Sequence, residues 1–184
     1  MKSKETSAEA EREYDTKLEE DFIKYLKVTR KKLTHDELKK RIIKFLEEHK
    51  ICTLASCSDN IPRSTPVRYR SKGLTLYILT EGGMKVKNIM KNPHVSVSLY
   101  GDYSGFQSVK GLQVWGRAEI IDPENRERYR EARRIINVEK REDLKKLGLT
   151  VRPEMKIIKI ETERARYLSF PEGILNQALT VKET

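Results

Sequence analysis

Apolar positions along this chain are sparse to about residue 34, fall at helical spacing to about residue 49, and then alternate with polar ones in short runs. In the first stretch Phe22, Ile23, Leu26 and Leu33 make a thin helical stripe among charged residues. Thr34-His35-Asp36-Glu37 then matches a capping box, in which the hydroxyl accepts from the third backbone N–H and the glutamate reaches back. Leu38, Ile42, Ile43, Phe45 and Leu46 follow at helical spacing and predict a helix ending near His49.

From Lys50 the period changes to two. Ile51 to Ser58 reads as a strand, and Asp59-Asn60 as a turn, because both side chains tolerate left-handed backbone. Arg63 to Arg70 reads as a second strand, with Pro66 marking an edge or a bulge. Ser71-Lys72-Gly73 turns the chain into a third strand, Leu74 to Thr80. Glu81-Gly82-Gly83 breaks the alternation, and Met84 to Lys91 has the spacing of a short helix with Val86, Ile89 and Met90 on one face. Alternation resumes at His94 to Tyr100 and, after a loop at 101–105, at Gly111 to Ile121. Asp122-Pro123 predicts a helix start, carried on by Tyr129, Ala132, Ile135 and Ile136. Arg141 to Leu147 reads as a second short helix closed by Gly148. Met155 to Glu161 and Ala165 to Phe170 read as final strand pieces, and Pro171 onward as a tail.

The sum is five or six antiparallel strands with one short helix after the third, which favours a barrel or sandwich. Hydrophobic residues are 37% and charged residues 36% of the 184, so the core must be concentrated in the alternating part. The net charge is +10, but the signs alternate, as in Glu47-Glu48-His49-Lys50, which assigns most cations to solvated helix faces and leaves a nucleic-acid surface as the weaker reading. Two cysteines, Cys52 and Cys57, are too few for a disulfide framework, and His35, His49 and His94 are too scattered for a metal site. With no membrane-length apolar run and no signal-peptide pattern, a soluble cytoplasmic protein is expected.

The familiar nucleotide cradles, G-x-G-x-x-G and G-x-x-x-x-G-K-[ST], are missing, as are H-E-x-x-H and G-x-S-x-G. The positive signal is Thr80-Glu-Gly-Gly-Met-Lys85-Val-Lys87-Asn88. A strand ends in a hydroxyl, two glycines allow backbone N–H groups close to a ligand, and a helix opens carrying lysines. That combination suits a terminal phosphate; it also suits a tight turn before a solvated helix. A second candidate is Arg63-Ser64-Thr65-Pro66-Val67, whose guanidinium and hydroxyls suit a polyhydroxyl chain or a phosphate, or an ordinary half-exposed strand. The two segments lie on or just beyond successive strands and are able to converge.

In order and spacing these pieces resemble the pyridoxamine-phosphate-oxidase-like flavin-binding split barrels. Leu54-Ala55, Asp59-Asn60-Ile61-Pro62 and Arg63 to Val67 are similar to that family's opening hairpin. Leu76 to Thr80 followed by Lys85 to Ile89 is similar to its flavin-phosphate segment. Lys91-Asn92-Pro93-His94-Val95 and Val114-Trp115-Gly116-Arg117-Ala118 are similar to its next two strands. The resemblance covers roughly residues 36 to 170. It implies a mainly β protein, a six-stranded antiparallel split β-barrel with Greek-key connections and flanking helices. The corresponding organisation is a charged helical extension at 1–34, the flavin mononucleotide (FMN) domain at 35–170 and a C-terminal tail at 171–184.

The resemblance further implies a homodimer with the flavin at the subunit interface and a small redox partner such as a nicotinamide. It carries Arg63, Ser64, Thr65, Val67, Leu79, Thr80, Lys85 and Lys87 over as cofactor-binding residues. Tyr100, Tyr103, Phe106 and Trp115 are candidates to line the flat ring. Members of the superfamily also take the deazaflavin coenzyme or heme, and FAD is a further alternative. No residue is marked as catalytic. Met84 stands where the true oxidases often have a basic residue, Gly111 falls where they use a glutamine, and their C-terminal arginine pattern is not found; these departures point away from pyridoxamine phosphate as substrate. Three functional classes follow: an FMN-dependent oxidoreductase, a flavin- or heme-binding module without a substrate of its own, and a basic nucleic-acid binder.

Overall fold

The computed structural model describes residues 16–17, 19–25, 30–138, 142–148 and 150–181; Leu26, most of the charged extension and the last residues of the tail lie outside them. Among the described residues four helices with both their ends included flank one antiparallel sheet of eight strands, and residues 19–25 are helical as well. The helices are α1 (His35–Glu48), α2 (Met84–Lys91), α3 (Arg126–Ile136) and α4 (Glu142–Lys145). The strands are β1 (Ile51–Ser58), β2 (Ile61–Arg68), β3 (Arg70–Lys72), β4 (Thr75–Thr80), β5 (His94–Tyr100), β6 (Lys110–Ile121), β7 (Lys156–Ser169) and β8 (Ile174–Thr180). Their order is β2-β1-β5-β6-β7-β4-β3, with β8 beside the second half of β7. The sheet curls until β2 approaches β4 across an open seam, giving the split barrel.

Eight strands replace the expected six for two reasons. The second strand breaks at Tyr69, whose ring is buried and whose hydroxyl donates to the Leu46 carbonyl at 2.7 Å, so that β3 starts afresh against β4. The presumed tail also supplies β8. Conversely, the two final strand pieces are one strand. β7 carries an extra residue, Glu163, where Trp115 pairs with Arg164 and Gly116 with Thr162. The bulge fits because residue 116 has no side chain: a Cβ there would stand 2.2 Å from the Glu161 carbonyl oxygen. The third helix also starts later than expected, at Arg126, because Asp122 pairs with Lys156 rather than capping it.

Two apolar clusters lie on opposite faces of the sheet. The barrel interior holds Leu54, Leu76, Ile78, Val97, Val114 and Ile160, closed at one end by Leu38, Ile42, Phe45 and Leu46 of α1. The second cluster lies outside β4 and β7, where Tyr77, Ile121 and Ile157 pack under Tyr129, Ala132 and Ile136 of α3. Among the described residues the outer face of β1, β5 and β6 has no such cover, and Ile51 and Tyr100 stand exposed on it. No helix among the described residues is long and apolar enough to cross a membrane.

Candidate functional site

The start of α2 is held against the β1–β2 hairpin by a small polar network. Asn88, only 3% exposed, donates from Nδ2 to Ser56 Oγ at 3.3 Å and accepts from Ser58 Oγ at 2.9 Å through Oδ1. Lys91 pairs with Asp59 at 2.7 Å and holds its carboxyl below the ordinary aspartate range, while Asn92 Nδ2 donates to the Cys57 carbonyl at 3.1 Å. Asp59 and Asn60 both take positive φ, +53° and +59°, as a tight two-residue hairpin requires. Hairpin and helix are thereby fixed relative to each other.

Thr80 ends β4 with its side chain buried, and its Oγ1 accepts from the Gly82 N–H at 3.1 Å. Gly82 and Gly83 take φ of +120° and +85°, conformations that a side chain disfavours. Gly83 is the N-cap of α2, so no side chain bonds the helix's first amides, and no acidic residue stands in its first turn. Lys85 folds back, with Nζ donating to the Gly82 carbonyl at 3.0 Å. Unpaired N–H groups, the positive end of the helix dipole and a lysine thus meet at one point, which is an anion-binding arrangement.

Cross-strand register decides which expected residues join this point. Arg63 lies opposite Ser56, whose side chain faces α2, so Arg63 shares that face with Thr65 and Val67; Val67 packs on the interior cluster. Among the described residues Arg63 makes no ion pair and is exposed. Thr80 points inward with Ile78 and Leu76. Arg63, Thr65, Val67, Thr80 and Lys85 therefore share one side of the sheet. Leu79 does not: its side chain packs into the cluster under α3, leaving only its backbone to face a ligand. Lys87 is exposed on α2.

Ser64 and Trp115 lie on the other side. Ser64 pairs with Ala55, Ala55 with Ser96 and Ser96 with Trp115, a row across the uncovered face. Trp115 is three strand steps from Ser64, roughly 14 Å. The guanidinium of Arg164 lies 4.4 Å from the centre of its ring and that of Arg166 5.7 Å. Sequence reasoning missed these arginines and the Ser56–Asn88–Ser58 network; the Arg-x-Arg alternation in β7 and an asparagine on the apolar stripe of α2 were the available signals. Cys52 is buried, which pushes its thiol up to about 12 and keeps it inert.

The family model for pyridoxamine 5'-phosphate oxidase matches residues 38–169. The chain belongs to the pyridoxamine 5'-phosphate oxidase family. It is also 29% identical over 89 residues to general stress protein 26 of Bacillus subtilis (strain 168), an overlap of 48% of this chain and 63% of that relative's length. The split barrel also superposes on an FAD-binding protein from Mesorhizobium loti, with a TM-score of 0.53 and 20% identity, covering 68% of this chain and 88% of the other. A heme-binding protein from Mycobacterium smegmatis gives a TM-score of 0.59 and 14% identity, covering 82% and 59%. At these identities the structures share the fold.

Proposed function

We propose that this chain is a cytoplasmic flavoprotein that binds FMN and passes electrons to or from a small substrate. The observation that carries the reading is the open N-terminus of α2, without a side-chain cap or a first-turn acid and furnished with Lys85. A terminal phosphate fits it: the first amides of the helix donate, Lys85 adds a full charge, and Arg63 lies on the same side of the adjoining hairpin. FAD and the deazaflavin coenzyme also carry phosphates that this end of the helix suits. Heme, the group named for the Mycobacterium smegmatis neighbour, has no use for a phosphate cradle.

The reading includes a homodimer. In one chain Trp115 and Arg63 lie on opposite faces of the sheet. A second copy laid on the uncovered face of β1, β5 and β6 would cover Ile51, Tyr100 and the row from Ser64 to Trp115. The flavin would supply the redox chemistry. The protein's part is to neutralise the phosphate with Lys85 and Arg63 and to hold the ring against Trp115. A nicotinamide or another small redox partner would then approach the open side.

The test is an absorption spectrum of the freshly purified protein, followed by titration with FMN and light scattering. A flavin spectrum, or uptake of added FMN by a dimer, is expected. Colourless protein that takes up no FMN defeats the reading, and a Soret band replaces flavin with heme.

A further inference from the structure

A cavity lies at the far end of β7 from this site. Thr80 pairs with Lys156 at the start of β7, whereas the cavity borders Tyr167 and Glu172 at its close. It opens between the second half of α1, the 101–110 loop and the Phe170–Glu172 turn, and measures about 460 Å³, room for a small organic molecule.

The cavity has a built wall. The Glu172 carboxylate accepts from the Tyr167 hydroxyl and from Ser169 Oγ, each at 3.1 Å, and these donors are 1% and 0% exposed. Its other oxygen pairs with Arg41 at 2.9 Å. Two buried hydroxyls thus fix a carboxylate, and the carboxylate fixes a guanidinium. One carboxylate oxygen uses little of the five-donor arginine fork, so most of the Arg41 donors remain for a ligand. Lys110 reaches the same cavity from β6 and makes no ion pair among the described residues.

His49 completes the wall in a defined tautomer. Its Nδ1 lies 2.7 Å from the Phe45 carbonyl, which can only accept, so Nδ1 carries a proton, and in the neutral ring Nε2 is the acceptor. Its ring stacks on Phe45 at 4.0 Å. Of the acids in the wall, Glu172 offsets part of the Arg41 charge but leaves Lys110 without an ion pair among the described residues. Glu172 is held by three partners, Glu48 pairs with Lys44 at 3.7 Å, and Asp102 is exposed at the rim.

We propose that this cavity is a second binding site for a small molecule bearing an oxyanion, phosphate or carboxylate, gripped by Arg41 and Lys110, with His49 Nε2 accepting from a ligand hydroxyl. Isothermal titration of the full chain with pyrophosphate and with citrate tests it and separates the two sources of anion. At least one probe is expected to bind, with unchanged affinity in Lys85→Ala and about tenfold or greater weakening in Arg41→Lys and in Lys110→Ala. Arg41→Lys keeps the charge opposite Glu172 and so the fold, but loses the fork. Binding of neither probe overturns the proposal. So does binding that Lys85→Ala abolishes while Arg41→Lys and Lys110→Ala leave it intact, since the anion would then be in the helix-end site. Flavin uptake is measured separately, so failure here does not touch the flavin reading.

Discussion

The first turns of α1 and α2 solve the same problem in opposite ways. At α1 the chain completes its own helix end: the Thr34 hydroxyl accepts from the Glu37 N–H at 3.3 Å, the Glu37 carboxylate accepts from the Thr34 N–H at 2.8 Å, and Asp36 adds a second acid. At α2 the cap is a glycine with φ of +85°, no side chain bonds the first amides, and Lys85 puts a cation at the positive end of the dipole. Both helices bury apolar residues on the barrel, so packing does not explain the difference. A lysine in that place costs a few tenths to about 1 kcal/mol, and an anion between it and the amides reverses the sign. The helix whose sequence serves its own end worst is the one to which the proposed function assigns a phosphate.

Removing the cation should give the largest effect. Lys85→Ala is expected to weaken FMN binding by about 1.5–3 kcal/mol, one charge-assisted contact. Fluorescence titration measures it, and unchanged affinity would take Lys85 out of the site. The paired change at α1 should act on stability alone. Thr34→Ala is expected to cost about 1 kcal/mol in denaturant unfolding, with FMN affinity unmoved. If it changed affinity as much as Lys85→Ala, the contrast between the two helix ends would fail.

The capping box also predicts a pH dependence. The backbone and side-chain hydrogen bonds of Thr34 hold the Glu37 carboxyl below its ordinary value. A carboxyl with a depressed folded pKa contributes stability that is present above its unfolded value, about 4.3, and is lost as pH falls through the folded value. The stability gap between wild type and Thr34→Ala should therefore be full at neutral pH and narrow below about pH 4. A gap that stayed constant down through that range would mean that Glu37 takes no part in the cap.

What was legible in the sequence follows the same division between local and long-range causes. The capping box, the Asp59-Asn60 turn and the Gly82-Gly83-Lys85 segment depend on neighbours in the chain, and each lies where the pattern puts it. The face on which a side chain ends depends on distant partners. Leu79 points away from the candidate site because α3 covers the outside of β4, a packing choice that residues 75–80 do not encode. β7 reads as two pieces because the bulge at Glu163 flips its phase: Ile158, Ile160 and Thr162 are buried before it, and Ala165, Tyr167 and Ser169 after it. In β8 only Ile174 and Leu179 are buried, and Asn176 takes a φ of +46°, so no alternation marks the strand. Trp115 was legible as a ring-lining candidate, but its place opposite Arg63 comes from pairings across four strands.

The smallest expected effect is the most specific, because it must move two measurements in opposite directions. Met84 is the first residue of α2, and its side chain is 46% exposed, so a glutamate fits there without disturbing the core. In the flavin-free protein Met84→Glu gives α2 the first-turn acid that α1 already has. Its stability should rise by about 0.3–1 kcal/mol, less at high salt. The same carboxylate would stand beside the phosphate of a bound flavin and oppose it, so FMN affinity should fall. A destabilising substitution would lower both quantities, and a neutral surface change would move neither. Only an end of a helix left open for an anion predicts a more stable apoprotein that binds its ligand less well.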